Sequence, residues 1–212
     1  MKHWSPAPVA AVLLAACGTT AAVSRTTAVQ PSSAADAVQP SAAVQADTGR
    51  RGYSPADVHF MQGMIGHHAQ ALEMTSLVAD RSRRADLRLL AERIQLSQQS
   101  EIAAMQNWLR TRGEPVPCLE PGHQHGGMEH MLMPGMASPE QMARLAAATG
   151  AEFDRLFLET MIRHHQGALT MVAELLSTPG SGQEPELFRL ASDVDADQRA
   201  EIARMEAMLN PR

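Results

Sequence analysis

Two pairs of adjacent histidines, each flanked by methionines at matching offsets, are the residues of this chain best suited to chemistry. Imidazole nitrogen binds copper, zinc, iron and nickel, whereas thioether sulfur selects the softer ions, Cu(I) above all. The combination predicts a metal site and favours copper as the metal, with zinc and iron less well matched. The candidate ligands are His67, His68, Met64 and Met74 in the first copy and His164, His165, Met161 and Met171 in the second.

Four acidic residues at matching places in the two copies are candidates for orienting the imidazoles, since a metal-bound histidine usually needs a hydrogen-bonded partner. On the predicted second helix, Glu101 falls in the heptad series Leu87, Leu90, Ile94, Ser97, Glu101, Ala104 and Trp108. A carboxylate at such a core position needs a partner, and the histidines of the neighbouring helix are nearest. Asp57 has an alternative role, because an acid three residues after Ser54 favours helix capping. The four acidic candidates are Asp57, Glu101, Asp154 and Glu201.

The histidines also have a purely structural interpretation. One member of each pair would be a hydrogen-bonded core residue, the other would be solvated, and the methionines would fill the interior. Duplication copies structural residues as faithfully as functional ones, although two pairs in matching registers favour the metal site. Met105, Met205 and Met208 are expected in the core rather than among the ligands.

A segment rich in histidine and methionine, residues 114–137, joins the two copies. A plain flexible loop is the alternative interpretation, but a solvated loop has little reason to carry four methionines, so we expect metal capture here too. Cys118 is open to three interpretations: a thiolate ligand, an intermolecular disulfide or an inert thiol. The candidate ligands of this segment are Cys118, His123, His125, Met128, His130, Met131, Met133 and Met136.

Four long helices must position these side chains. Apolar periodicity and boundary signals predict helices over about residues 54–79, 84–112, 151–177 and 184–210, with a short helix from about 138 to 150. Short turns join the first pair and the last pair, so the chain contains two duplicated helical hairpins. The predicted fold is an all-α, ferritin-like four-helix bundle over residues 53–212.

The N-terminal part predicts export. Residues 1–17 have an apolar stretch too short to span a bilayer, which ends in Leu-Ala-Ala-Cys-Gly and resembles the lipobox of bacterial lipoproteins. The resemblance implies a signal peptide cleaved before Cys17 and lipidation of that cysteine; an ordinary signal peptide is the alternative. Residues 18–52 are rich in Ala, Ser, Pro and Gln, which predicts a disordered tether. The expected location is extracytoplasmic, on a bacterial membrane, periplasmic or at the cell surface.

Composition and missing motifs exclude several functions. A net charge of -5 and the lack of a basic cluster argue against nucleic acid. No phosphate loop or nucleophile-base motif is present, so we expect no enzyme of those classes. A di-metal oxidase would need Glu-x-x-His on two helices, whereas Glu101 is followed by Ala104 and Glu201 by Arg204 at the required position.

The motif Met-Ile-x-His-His, at Met64 and again at Met161, resembles the domain of unknown function 305 family over about residues 53–210. The resemblance implies a ferritin-like bundle, and it implies copper binding, since some exported members bind copper and protect against it. The predicted function is an exported lipoprotein that binds copper, with Cu(I) favoured, for sequestration, tolerance or transfer. Its partners would be the metal, the membrane through Cys17, and a second copy or a metal-receiving protein. The alternatives are a di-metal oxidase and a metal-free structural or partner-binding lipoprotein.

Overall fold

The computed structural model describes residues 52–119 and 133–210, and within them every regular element is a helix. The predicted all-α bundle of two hairpins is confirmed, and the predicted helix boundaries agree with the structure to within a few residues. The predicted signal peptide and nearly all of the predicted tether lie outside the described residues. The helices are α1 (Pro55–Ser76), α2 (Val78–Arg81), α3 (Ala85–Thr111), α4 (Pro139–Ala147), α5 (Gly150–Ser177) and α6 (Pro185–Leu209).

Serine-proline pairs begin two of the helices, as predicted. Ser54 caps α1 in a reciprocal capping box with Asp57, and Ser138 caps α4 in the same way with Gln141. The first helix is shorter than predicted, because α1 ends at Ser76 and a single-turn helix, α2, follows after Leu77. The capping signals therefore fix the starts of these helices better than periodicity fixes the end of α1.

The bundle is built from two hairpins that meet through their first helices. Helix α3 packs along α1, α6 packs along α5, and α1 packs against α5, whereas α3 and α6 touch only slightly. One end is tied by a hydrogen bond of 2.9 Å from Trp108 Nε1 to Glu184 Oε2. No helix in the described part of the chain has both the length and the apolar character needed to cross a membrane.

Two apolar clusters occupy the two halves of the bundle, and the histidines lie between them along α1 and α5. Cluster 1 combines the start of α1 with the end of α5, and cluster 2 combines the end of α1 with the start of α5. Cluster 1 includes Phe60, Met64, Met105, Ala168, Met171 and Leu187; cluster 2 includes Ala71, Met74, Ile94, Phe153, Phe157 and Met161. We call the four histidines between the clusters the histidine layer.

The buried face of α3 differs in part from the predicted heptad. Glu101 is buried as expected, but Ala104 is exposed and Met105 takes the core position. An α-helix has 3.6 residues per turn, so a strict seven-residue series drifts off the buried face. The correction leaves the Glu101 side chain facing α1.

Candidate metal centre

All four imidazoles of the histidine layer are completely buried, each with 0% of its surface exposed. The alternative in which one member of each pair is solvated is therefore wrong. The rings follow one another in the order His68, His67, His164, His165, with centroid distances of 6.5, 3.8 and 6.2 Å. The inner pair, His67 and His164, joins the two hairpins, so the structure brings the predicted halves together in one place.

A glutamate orients each outer histidine. His68 Nε2 donates to Glu101 Oε2 at 2.5 Å, and His165 Nε2 donates to Glu201 Oε2 at 2.6 Å. Donation from Nε2 leaves the lone pair on Nδ1, which has no hydrogen-bond partner in either ring. This is the arrangement in which a carboxylate fixes the tautomer and raises the basicity of a metal-binding imidazole.

The inner histidines differ from one another. His67 Nε2 donates to the carbonyl oxygen of Pro134 at 3.0 Å, which leaves His67 Nδ1 without a partner. Neither ring nitrogen of His164 makes a hydrogen bond of good geometry, although the backbone of His67 lies near enough to raise its pKa against the larger effect of burial. Burying such an atom without a hydrogen bond costs about 1–3 kcal/mol. Several unpaired nitrogens in one small part of the core therefore indicate a function that offsets this cost.

Burial keeps the inner pair uncharged. It lowers the pKa of His67 to about 3, with a further lowering by the neighbouring His68, and it lowers the pKa of His164 well below the ordinary value, assisted by His67 and His165. A neutral imidazole keeps a lone pair, which is what a metal ion requires. The inner histidines are therefore in the ligand-competent form at neutral pH.

The candidate methionines lie on the two sides of the histidine layer, paired across the hairpins. Met64 of α1 lies in cluster 1 with Met171 of α5, and Met74 of α1 lies in cluster 2 with Met161 of α5. All four are buried. Of these four candidates, each side of the layer thus has one from each hairpin.

Carboxylates line the cleft between α3 and α6, beside the outer histidines. Ser97 Oγ donates to Glu101 Oε1 at 3.5 Å and to Asp197 Oδ2 at 3.4 Å. Burial raises the pKa of Asp197, and the Glu101 and Glu201 carboxylates raise it further. The cleft residues are Ser97, Ser100, Glu101, Ala104, Leu190, Asp193, Ala196 and Asp197, and this lining includes no basic side chain. Its negative potential favours the approach of cations.

The two aspartates occupy other parts of the bundle. Both oxygens of Asp57 are engaged, because Oδ2 accepts from the Ser54 amide at 2.7 Å and Oδ1 from the Gly182 amide at 2.8 Å. Asp154 borders a pocket that also contains Arg84 and Asn210, and its buried Oδ1 has no partner. Neither aspartate forms a hydrogen bond with a histidine among the described contacts.

Only part of the predicted linker site can be placed. Cys118 is exposed, and Met133 and Met136 are partly buried. The linker ligands His123, His125, Met128, His130 and Met131, like the predicted lipidation site Cys17, lie outside the described residues. Within residues 52–119 and 133–210, no three His, Cys, Asp or Glu side chains converge to hold a metal ion. Among the described residues, the methionines of the two clusters are the remaining candidates for completing a site in the histidine layer.

Sequence reasoning missed several polar residues of the interior. Gln98 and Gln198 are 1% exposed and each has an unpartnered amide atom. Their match in the repeat was visible, and glutamine inside an apolar helix face is the signal that could have identified them. Gln70 was also missed: its amide forms two hydrogen bonds with the backbone of Ala137, at 2.9 and 2.8 Å.

The fold and the site define a class of protein: a duplicated four-helix bundle with a buried histidine layer between two methionine-bearing apolar halves. The family model "Domain of unknown function (DUF305)" matches residues 57–209, and the chain belongs to this family. The family resemblance expected from the repeated motif is thereby confirmed.

Solved structures of the same family are similar along nearly their whole length. A DUF305 fragment from Deinococcus radiodurans is 38% identical, with 76% of this chain and 99% of that chain covered and a TM-score of 0.65. A DUF305 protein from Streptomyces coelicolor, for which secretion is suggested, is 29% identical, with 73% and 91% covered and a TM-score of 0.62.

CopM is a further structural relative. Its Cu(II)-bound form is 31% identical, with 72% of this chain and 95% of that chain covered and a TM-score of 0.57. CopM has also been solved with Cu(I) and with silver. No curated protein matches the chain.

Proposed function

We propose that this protein is an extracytoplasmic metal-binding protein that takes up copper, with Cu(I) favoured, in the histidine layer of its bundle. Copper is the cargo, held for sequestration, tolerance or transfer to another protein. Two inner imidazoles and the thioethers beside them supply the ligands, and two glutamates orient the outer imidazoles.

The main support is the pairing of His67 with His164, one from each hairpin, at a ring centroid distance of 3.8 Å. Both rings are buried and neutral, and both keep an unpartnered nitrogen. A purely structural core would gain by replacing them with apolar side chains, since unpaired polar atoms are costly there. Metal binding gives these atoms a partner and so explains their presence.

The choice of copper follows from the ligand chemistry. The clusters on the two sides of the histidine layer contain the candidate thioethers, Met64 and Met171 in cluster 1 and Met74 and Met161 in cluster 2. Thioether selects Cu(I), whereas zinc sites use thiolate, imidazole or carboxylate. The copper- and silver-bound structures of CopM, a relative of the same fold, support this choice.

The proposed location rests on the N-terminal sequence and on a relative. The Leu-Ala-Ala-Cys-Gly segment predicts lipidation at Cys17. The Streptomyces coelicolor relative, for which secretion is suggested, supports an extracytoplasmic location. Radiolabelled palmitate incorporation into the wild-type protein, and its loss in Cys17→Ala, would establish the lipid anchor; equal labelling of both would refute it.

Copper uptake by the purified protein tests the metal assignment. We expect Cu(I) to compete successfully with a Cu(I) chelator and Zn(II) to bind much more weakly, because thioether sulfur is a poor zinc ligand. Comparable affinity for zinc, or no uptake of either ion, would contradict the proposal. Oxygen consumption with Fe(II) would instead favour a di-metal oxidase.

A further inference from the structure

The end of the linker lies across the bundle next to the histidine layer. We call residues 133–137 the strap. Its Pro134 carbonyl accepts the hydrogen bond from His67 Nε2, and its Ala137 backbone is held by both ends of the Gln70 amide. Met133, at the start of the strap, packs against cluster 1. Three separate contacts therefore fix the strap over α1 and α5.

Gly167 makes room for the strap, and two further glycines, Gly63 and Gly66, lie next to Met133. A methyl group on Gly167 would overlap the Pro134 carbonyl, so only glycine allows this approach. A methyl group on Gly63 would lie 3.4 Å from Met133 Sδ and 3.4 Å from Met171 Cε. A methyl group on Gly66 would lie 3.6 Å from Met133 Cε. The Met133 sulfur and the Met171 methyl group thus both lie next to Gly63, on the α1 turn before His67.

The strap breaks the symmetry of the duplication. The repeat aligns Gly63 with Thr160, Gly66 with Arg163 and Gln70 with Gly167, so the residues that receive the strap are not shared by the two copies. One side of the histidine layer has the thioethers of Met64 and Met171 and also that of Met133. The opposite side has the candidate thioethers of Met74 and Met161, and no residue of the strap packs against cluster 2.

We infer that Met133 is an additional thioether ligand, which the strap delivers to the cluster 1 side of the inner histidine pair. The inference rests on the proposed function and adds a residue from outside the four helices to its site. Because thioether sulfur selects Cu(I), the added ligand strengthens Cu(I) binding without strengthening Cu(II) binding. Gln70, which holds the Ala137 backbone, and Gly167, which admits the Pro134 carbonyl, position the strap and with it Met133.

Replacing the sulfur tests the assignment. Met133→Leu keeps the volume of the side chain and removes only the donor atom. We expect its Cu(I) affinity to fall by about tenfold or more, the range typical of damaged metal sites, with Cu(II) affinity unchanged. X-ray absorption of the Cu(I) form should show one fewer sulfur neighbour. Met105→Leu is the matched control, because Met105 is a fully buried methionine of the same cluster on α3.

Displacing the strap is the second test. Gly167→Ala pushes the Pro134 carbonyl away while favouring the helix, so the protein folds and Met133 is withdrawn. We expect a loss of Cu(I) affinity at least as large as in Met133→Leu, because displacing Pro134 also breaks its hydrogen bond with His67. Met133→Leu should add no further loss in the double variant.

The outcomes separate this inference from the proposed function. Wild-type affinity and an unchanged sulfur count in Met133→Leu would overturn the inference alone. No Cu(I) uptake by the wild-type protein would overturn both. Equal losses in Met133→Leu and Met105→Leu would assign Met133 to packing and overturn its role as a ligand.

Discussion

His67 and His164, one from each hairpin, lie with ring centroids 3.8 Å apart and ring planes inclined by 38°. Because α1 and α5 form the contact between the hairpins, this pair is at the junction of the duplicated halves. A metal held by both rings would bind the halves together, and its release would remove that link. The duplication therefore produces one shared candidate site.

Replacing His164 should stabilise the metal-free protein while weakening its Cu(I) binding. His164→Leu removes two buried polar atoms that make no hydrogen bond of good geometry. We expect the metal-free variant to be more stable than the wild type by about 1–3 kcal/mol and to have lost most of its Cu(I) affinity. Urea unfolding of the metal-free proteins measures the first effect, and chelator competition measures the second.

His165→Leu is the matched control for that prediction. It leaves Glu201 without its histidine partner, so the metal-free protein should lose stability rather than gain it. A loss of stability in His164→Leu as large as that in His165→Leu would show that His164 is a structural core residue.

The glutamates should act through the histidines that they orient. Glu101→Gln removes the charge that holds His68 Nε2–H in place. We expect Cu(I) affinity to fall by about 10- to 100-fold, as for other partners of metal-bound histidines. Chelator competition measures the change, and Glu92→Gln, an exposed site on the same helix, is the control. Equal affinity in the two variants would refute the orienting role.

Asp57 should affect stability alone. Asp57→Asn weakens the α1 capping box and the bond to the Gly182 amide, both of which use the carboxylate. We expect a loss of about 1–2 kcal/mol in the free energy of unfolding with Cu(I) affinity unchanged. Thermal unfolding and chelator competition on the same samples check both parts. A tenfold loss of affinity would instead return Asp57 to the metal site.

The stability of the metal-free protein should fall in acid. Burial lowers the pKa of His67 to about 3, from an ordinary value of 6.5 in the unfolded chain, and lowers that of His164 as well. Between these values the unfolded state binds more protons, so the free energy of unfolding falls as the pH falls. The slope approaches about 1.4 kcal/mol per pH unit for each histidine.

Urea unfolding between about pH 7 and about pH 4 measures that slope. A His67→Leu/His164→Leu variant lacks both groups and should show a shallower dependence. The same slope in both proteins would place the acid sensitivity in other residues.

The sequence predicted the helices because they depend on local periodicity and capping. Ser54 and Ser138 begin the helices with capping boxes. The duplication also pointed to Glu101 and Glu201 as matching acids, and the structure pairs each with a histidine.

Contacts between the halves could not be read from either copy alone. The pairing of Met64 with Met171 depends on how α1 crosses α5, which no local pattern specifies. The position of the strap depends on Gly167. In the sequence this glycine indicates only a weak helix former, and its close contact with the Pro134 backbone is visible only in the structure. Asp57 was ambiguous for a related reason, since a capping residue and a metal-orienting residue have the same side chain.

Cu(I) titration of the purified wild-type protein beside the His67→Leu/His164→Leu variant tests the central claim most directly, with exposed His59→Leu as the control. We predict tight Cu(I) binding by the wild type and the control, and its loss in the double variant. Undiminished binding in the double variant would contradict a site in the histidine layer and leave the linker as the place of copper capture.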